Sequence, residues 1–169
     1  MGKPSLPESA LLFIGTLCRR EEYFLEAKEK LRILFGDIVL ESRPLPWEYS
    51  DYYTEELGSQ IKRRFVFFRN AVNPESLADI KLKTNEIEEQ FSTAGKRNIN
   101  LDPGYLTPYN VVLASTKNYS HRIYIGKGIY AEVTLVYRDG RYQPHLFTYR
   151  DYAGAAHIEI FAQARKLLK

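Results

Sequence analysis

Two successive units of apolar strand, amphipathic helix and strand, followed by short alternating segments split by glycine turns, predict an α+β protein. Its first half, residues 1–105, is expected to be a ferredoxin-like βαββαβ unit, and residues 106–169 an antiparallel β-meander with a C-terminal helix. At 169 residues and 44% hydrophobic content the chain has apolar material for one core, so both halves are expected to form a single domain. Two helices on one face of the first sheet would leave its other face for something else to cover.

The first strand is the apolar run of residues 10–18. Phe24, Ala27, Leu31, Leu34 and Phe35 then share one stripe of a helix over 20–35, which Gly36 stops. Residues 37–43 return as a strand. The connection from Pro44 to Gln60 exceeds the usual length and holds Trp47, Asp51, Tyr52 and Tyr53. Long ordered loops often carry function, although these rings would also serve to pin the loop to the core. Residues 61–68 form the third strand. Asn73-Pro74 caps a helix whose Leu77, Ile80, Thr84, Ile87 and Phe91 recur at three and four spacing, and Ile99 and Leu101 alternate with Asn98 and Asn100 in the fourth strand.

Asp102-Pro103-Gly104-Tyr105 reads as a turn. Residues 107–114 fit either a short helix opened by Thr107-Pro108 or a buried strand through Val111-Val112-Leu113. Further on, Gly126-Lys127-Gly128 as a three-residue hairpin loop places Ile123, Ile125, Ile129, Ala131, Val133 and Leu135 on one apolar face. That register sets Arg122 opposite Glu132 and Tyr124 opposite Tyr130, and turns His121 to the face away from Glu132. Pairing outward from Asp139-Gly140 sets Thr134 against His145, Val133 against Leu146, Glu132 against Phe147 and Tyr130 against Tyr149. The resulting polar and aromatic face either packs on the open side of the first sheet or walls a ligand site. A helix over about 152–168 closes the chain, with His157 expected to be partly buried.

Composition excludes more than it selects. The 24 basic and 21 acidic residues leave a net charge of +3, too little to dictate a nucleic-acid or membrane partner. Its distribution is uneven: residues 106–169 hold nine basic and four acidic side chains, consistent with an anion-receiving surface or with scattered solvated charges. A lone Cys18 at the end of an apolar run fits a small buried side chain in a reducing, cytoplasmic compartment. The same run is too short to span a bilayer, so no membrane partner is expected. Neither G-x-x-x-x-G-K-[ST] nor G-x-G-x-x-G occurs, and zinc ligands do not cluster, so no metal is expected and no cofactor is assigned.

Asn98, Asn100, Asp102, Tyr105, Lys117, Ser120, His121 and Arg122 form the densest polar constellation. Lysine, arginine and histidine converging in this way suit a phosphate or carboxylate. The plain alternative is that Asp102 and the asparagines hold tight turns. The expectation is an anionic small ligand, a nucleotide or phosphorylated metabolite, held by Lys117, His121 and Arg122. Asn100, Tyr105 and Tyr124 would line the site, Asp51, Tyr52 and Tyr53 would cover it, and Asp102, His121 or Glu132 would carry any proton transfer. The reading requires the stretches around Asp102 and Arg122 to meet in one hollow where two sheets meet. Single-stranded RNA on a basic aromatic surface that includes Lys62-Arg63-Arg64-Phe65-Val66-Phe67-Phe68 is the alternative. A scaffolding role is the third, and the oligomeric state is left open.

The strings from Asn100 to Thr107, from Leu113 to Tyr124 and from Gly128 to Val133, with Asp51-Tyr52-Tyr53, Lys62-Arg63-Arg64-Phe65 and Thr84-Asn85-Glu86, resemble a prokaryotic family numbered 4416 among the domains of unknown function. The similarity runs over nearly the whole chain. It implies no activity, substrate or catalytic residue. Some members carry a GTP-binding label, for which this chain offers neither a P-loop nor an N-K-x-D guanine-reading segment.

Overall fold

The computed structural model describes residues 2–49 and 51–168. Along the chain lie β1 (Ala10–Cys18), α1 (Glu21–Phe35), β2 (Ile38–Glu41), β3 (Leu45–Pro46), α2 (Thr54–Leu57), β4 (Lys62–Val72) and α3 (Leu77–Gln90). They are followed by β5 (Ile99–Leu106), β6 (Asn110–Ser115), β7 (Ile123–Gly126), β8 (Ile129–Arg138), β9 (Arg141–Pro144) and α4 (Ala155–Arg165). The strands join in one antiparallel sheet ordered β2-β4-β1-β5-β6-β8-β7, with β3 also on β4 and β9 on β8.

Alternation along the central strands sends side chains to two cores. Leu12 and Ile14 of β1, Val66 and Phe68 of β4 and Leu101 of β5 pack under α1 and α3, against Phe24, Leu31, Ile80 and Ile87. Leu11, Phe13, Phe65, Phe67 and Leu106 point the other way and pack under α4. There Phe161 meets the rings of Phe13, Phe65 and Phe67 at centroid distances of 4.9, 5.2 and 5.8 Å, all near edge-to-face. The face that two helices leave open is thus closed by the last helix. Phe65 and Phe67 are fully buried, so the rings that a nucleic-acid reading would display on this strand are covered.

The second half departs from expectation in several places. It is not a second sheet: β6 continues the first through β5, and residues 110–115 are strand. Asp102-Pro103-Gly104-Tyr105 lies inside β5 and makes no turn. Gly104 is needed there for close approach, because a Cβ would stand 2.5 Å from Phe13 Cζ and closer still to the Val112 carbonyl. The β7–β8 turn is tighter, with Gly126 itself opposite Ile129, while Ile123 against Ala131 and Tyr124 against Tyr130 keep the expected register. Arg138 pairs with Arg141 and Leu135 with Pro144 as the Asp139-Gly140 turn requires, but β9 ends at Pro144. The further pairs to His145, Leu146, Phe147 and Tyr149 form no ladder; instead Thr148 Oγ1 donates to the Thr134 carbonyl at 2.7 Å. An irregularity in the β6–β8 register lets β8 change faces, so Leu135 is buried under α4 while Val133 is exposed. Ile123, on the edge strand, is 72% exposed rather than in the core.

Cys18 is buried, and that burial pushes its thiol up to about 11, leaving it protonated at neutral pH. His157, on the buried face of α4, is 1% exposed beside Tyr49, Phe65 and Tyr152, with neither ring nitrogen bonded by a described residue. Burial holds its pKa down to about 4; the Asp151 carboxylate opposes that shift and the Arg63 charge adds to it. An unfolded imidazole binds its proton near 6.5, so the unfolded state takes up more protons between the two values. The contribution is therefore complete above pH 6.5 and is lost as pH falls toward 4, by about 3 kcal/mol in all. Urea unfolding at pH 7 and pH 4.5 should show that His157→Phe, which keeps a ring but not the titration, loses less stability across this interval than the wild type.

Candidate functional site

β5 pairs with β1 from Ile99 to Leu106, but with β6 only from Gly104 to Leu106. Before Gly104 the two strands part, and a hollow of about 730 Å³ lies between them, lined from both sides and from α3. Parting exposes backbone groups that a neighbouring strand would satisfy, and an unmet buried group is costly. Here α3 takes the place of the strand: Leu101 N–H donates to Glu88 Oε1 at 2.5 Å, and the Leu101 carbonyl accepts from Lys81 Nζ at 2.8 Å. Pro103, two residues on, faces the same way as Leu101, where its missing N–H forfeits no ladder bond.

The wall on the β1–β4–β5 side is built around Arg63. Its Nη1 donates to Asp102 Oδ2 at 3.0 Å and its Nη2 to Asp151 Oδ2 at 2.9 Å, with the guanidinium 5.3 Å from the centre of the Trp47 ring. Gly15 makes room, since a Cβ there would meet Arg63 Nη1 and the Tyr152 hydroxyl, each at 3.0 Å. Burial pushes the Asp102 carboxyl upward, but the charge of Arg63, then that of Lys81, and the hydrogen bonds it accepts outweigh this and leave it below the ordinary range. Glu88 is moved the other way: burial raises it despite the charges of Lys81 and Arg97.

The opposite wall comes from β6, β8 and the segment between β6 and β7. Arg122 makes four hydrogen bonds: Nε to Glu132 Oε2 at 2.6 Å, Nη1 to Ser115 Oγ and to the Lys117 carbonyl, each at 2.9 Å, and Nη2 to the Tyr149 hydroxyl. His121 Nε2 reaches the same Glu132 oxygen at 3.1 Å. This corrects the expectation that His121 turns away from Glu132: β7 begins at Ile123, and an Arg122 N–H to Tyr119 carbonyl bond closes a turn, so strand alternation does not reach His121. The segment before β4 closes over the hollow through three contacts. Lys117 Nζ donates to the Tyr52 hydroxyl at 2.8 Å, Lys96 Nζ to the Glu55 carbonyl at 3.2 Å, and Arg97 pairs with Glu56 through two bonds of 2.7 Å.

Of the residues expected from sequence, Tyr52, Tyr53, Asn100, Asp102, Lys117, His121, Arg122 and Glu132 line this hollow. Three do not. Asp51 lines a smaller hollow of about 310 Å³ beside Trp47 and Tyr49. Tyr105 lies on the other face of β5 from Asn100 and Asp102, packed with Leu77 and Ala78, as period-two alternation dictates. Tyr124 is exposed, its ring 5.4 Å from that of Tyr130. Sequence reasoning missed Lys81, Glu88, Arg97 and Asp151. A signal existed for two of them: Lys81 and Glu88 stand two turns apart on α3 next to its apolar stripe, an unusual place for charge. Among the described residues, no three of His, Cys, Asp and Glu stand close enough to hold a metal ion, and no helix is long and apolar enough to cross a membrane.

Two substitutions rank the parts of this framework. Arg63→Met strands the Asp102 and Asp151 carboxylates and should cost about 3–5 kcal/mol. Lys81→Met strips the donor from the Leu101 carbonyl and should cost about 1–3 kcal/mol. Urea unfolding of both beside the wild type checks the values and their order.

The comparisons with known proteins fit this picture without adding chemistry to it. A model of the family described as domain of unknown function DUF4416 matches residues 8–167. No curated protein and no solved structure matches the chain. Since the match covers nearly all of its length, the chain belongs to the DUF4416 family.

Proposed function

We propose that the protein binds an anionic small molecule, a nucleotide or phosphorylated metabolite, in the hollow between β5 and β6. One observation carries the reading: the neighbourhoods of Asp102 and Arg122, separated along the chain, face each other across a volume of about 730 Å³ walled by rings and charges. Lys117 is the group placed to meet the anion. The arginines that line the hollow are already paired with carboxylates, Arg63 with Asp102 and Asp151, Arg97 with Glu56 and Glu88, and Arg122 with Glu132. The Lys117 ammonium instead bonds, among the described residues, the Tyr52 hydroxyl alone and is exposed. Arg122 supports it from behind through the Lys117 carbonyl. The rings of Tyr52, Tyr53, Tyr119 and Phe147 supply apolar surface for a base or sugar, and Asp102, His121 and Glu132 are the groups able to exchange a proton with it. The order β2-β4-β1-β5 supports a ferredoxin-like first half, and a buried, solitary Cys18 accords with a cytoplasmic location.

A thermal-shift series with adenosine monophosphate, glucose 6-phosphate and their relatives tests the reading. A ligand at one hundred times its Kd adds about 2.7 kcal/mol, which for a domain of this size raises the midpoint by roughly 5–10 °C. Lys117→Ala should abolish that rise while leaving the ligand-free midpoint within about 2 °C of wild type. No rise with any phosphorylated compound sinks the proposal. Binding of single-stranded RNA that weakens steeply with salt would favour the nucleic-acid alternative, and a stable oligomer by light scattering without ligand response would favour a scaffold.

A further inference from the structure

We propose that His121 is the proton acceptor of the hollow, its Nδ1 taking a proton from a hydroxyl of the bound ligand or from a water beside it, with Glu132 as the positioning residue. This rests on the small-ligand reading and adds a chemical step to it. The three histidines of the chain differ in what their nitrogens can do. His157 is enclosed, with both nitrogens out of reach of solvent. His145 has Nε2 against the Val133 carbonyl, and its Nδ1 accepts from Phe147 N–H at 3.2 Å. His121 alone joins a held nitrogen to an open one. Nε2 lies 3.1 Å from Glu132 Oε2, the side chain is 18% exposed, and no hydrogen bond from a described residue reaches Nδ1. Arg122 Nε donates to the same Glu132 oxygen, which is therefore an acceptor, so Nε2 carries the hydrogen and Nδ1 the lone pair. The ring is held parallel to that of Phe147 at 4.7 Å and to that of Tyr119 at 6.2 Å, which fixes the direction in which the lone pair points.

In the step, the O–H bond of the ligand or water breaks with its electron pair left on oxygen, and an N–H bond forms at Nδ1. The imidazolium so formed stays in contact with Glu132, which Arg122 holds in place at 2.6 Å. Lys117, on the segment that Arg122 anchors, lines the same hollow and can face the oxyanion. Asp102 is the poorer proton acceptor, because Arg63 holds its carboxylate in the ionised form, which makes it an acceptor of ligand hydrogen bonds and a weak base.

Acylation by diethyl pyrocarbonate, located by peptide mass spectrometry, reads an open imidazole lone pair. His121 is expected to react at least tenfold faster than His145 or His157, and its ¹⁵N resonances at neutral pH to report the Nε2–H tautomer. Glu132→Gln, whose amide can donate as well as accept, is expected to weaken that tautomer preference and shift the pH profile of acylation, neither of which a purely structural role would move. His121 as the Nδ1–H tautomer, or no more reactive than His145, overturns the proposal, and both readings come from the wild-type protein even if the variant does not fold. A phosphorylated compound that raises the midpoint but leaves acylation of His121 unslowed also overturns it, while the binding reading stands. Failure of binding itself is seen separately, as an unmoved midpoint in a protein whose His121 reacts as expected.

Discussion

Leu101 marks the place where the sheet opens, and the site depends on how its backbone is satisfied there. A strand that loses its neighbour must find other partners for its N–H and carbonyl or leave buried dipoles unmet. Glu88 and Lys81 provide those partners from α3, one accepting and one donating. Had both been apolar, the Leu101 N–H and carbonyl would be left buried and unmet. The helix therefore does more than cover a core; its two buried polar side chains satisfy the backbone where the strands part.

Charge balance governs the rest of the hollow. Arg63 faces two carboxylates, Arg97 two, and Arg122 shares Glu132 with His121. Buried ions left alone are expensive, whereas paired and hydrogen-bonded ones are tolerated and tightly oriented. The arginines consequently act as struts that fix walls, while the Lys117 side chain lies exposed at the rim. The same pairing links distant segments: Arg63 ties β4 to β5 and to Asp151 just before α4, and Arg97 ties the start of β5 to α2. The geometry of the hollow and the stability of the fold thus rest on shared residues, which is why changes at Arg63 are expected to disturb both.

The strands and helices of the first half are legible because their signals are local. Apolar stripes at helical spacing place α1 and α3, and Asn73 caps the turn before α3 by accepting from Glu75 N–H at 3.1 Å. The pairing of Arg122 with Glu132 is also readable, since it follows from hairpin register. Legibility fails where the chain leaves regular structure. His121 sits in a turn beyond the reach of the β7 alternation, and residues 145–149 make side-chain to backbone bonds in place of a ladder. Pro103 and Gly104 mislead for a related reason: both favour turns, but one lies where no ladder bond is needed and the other where a ring and a carbonyl crowd the backbone.

Taken by itself, the amino-acid order determined the helices and strands of the first half, that one core-sized body of apolar residues exists, and which polar side chains cluster near residues 98–122. Periodicity and turn chemistry act over a few residues and can be read along the chain. Only the tertiary structure decided that the strands belong to one sheet, that α4 seals the face opposite α1 and α3, and that β5 and β6 separate to form a hollow. Those outcomes turn on contacts between segments far apart in the chain, such as Arg63 with Asp151 and Phe13 with Phe161, whose partners no local pattern names.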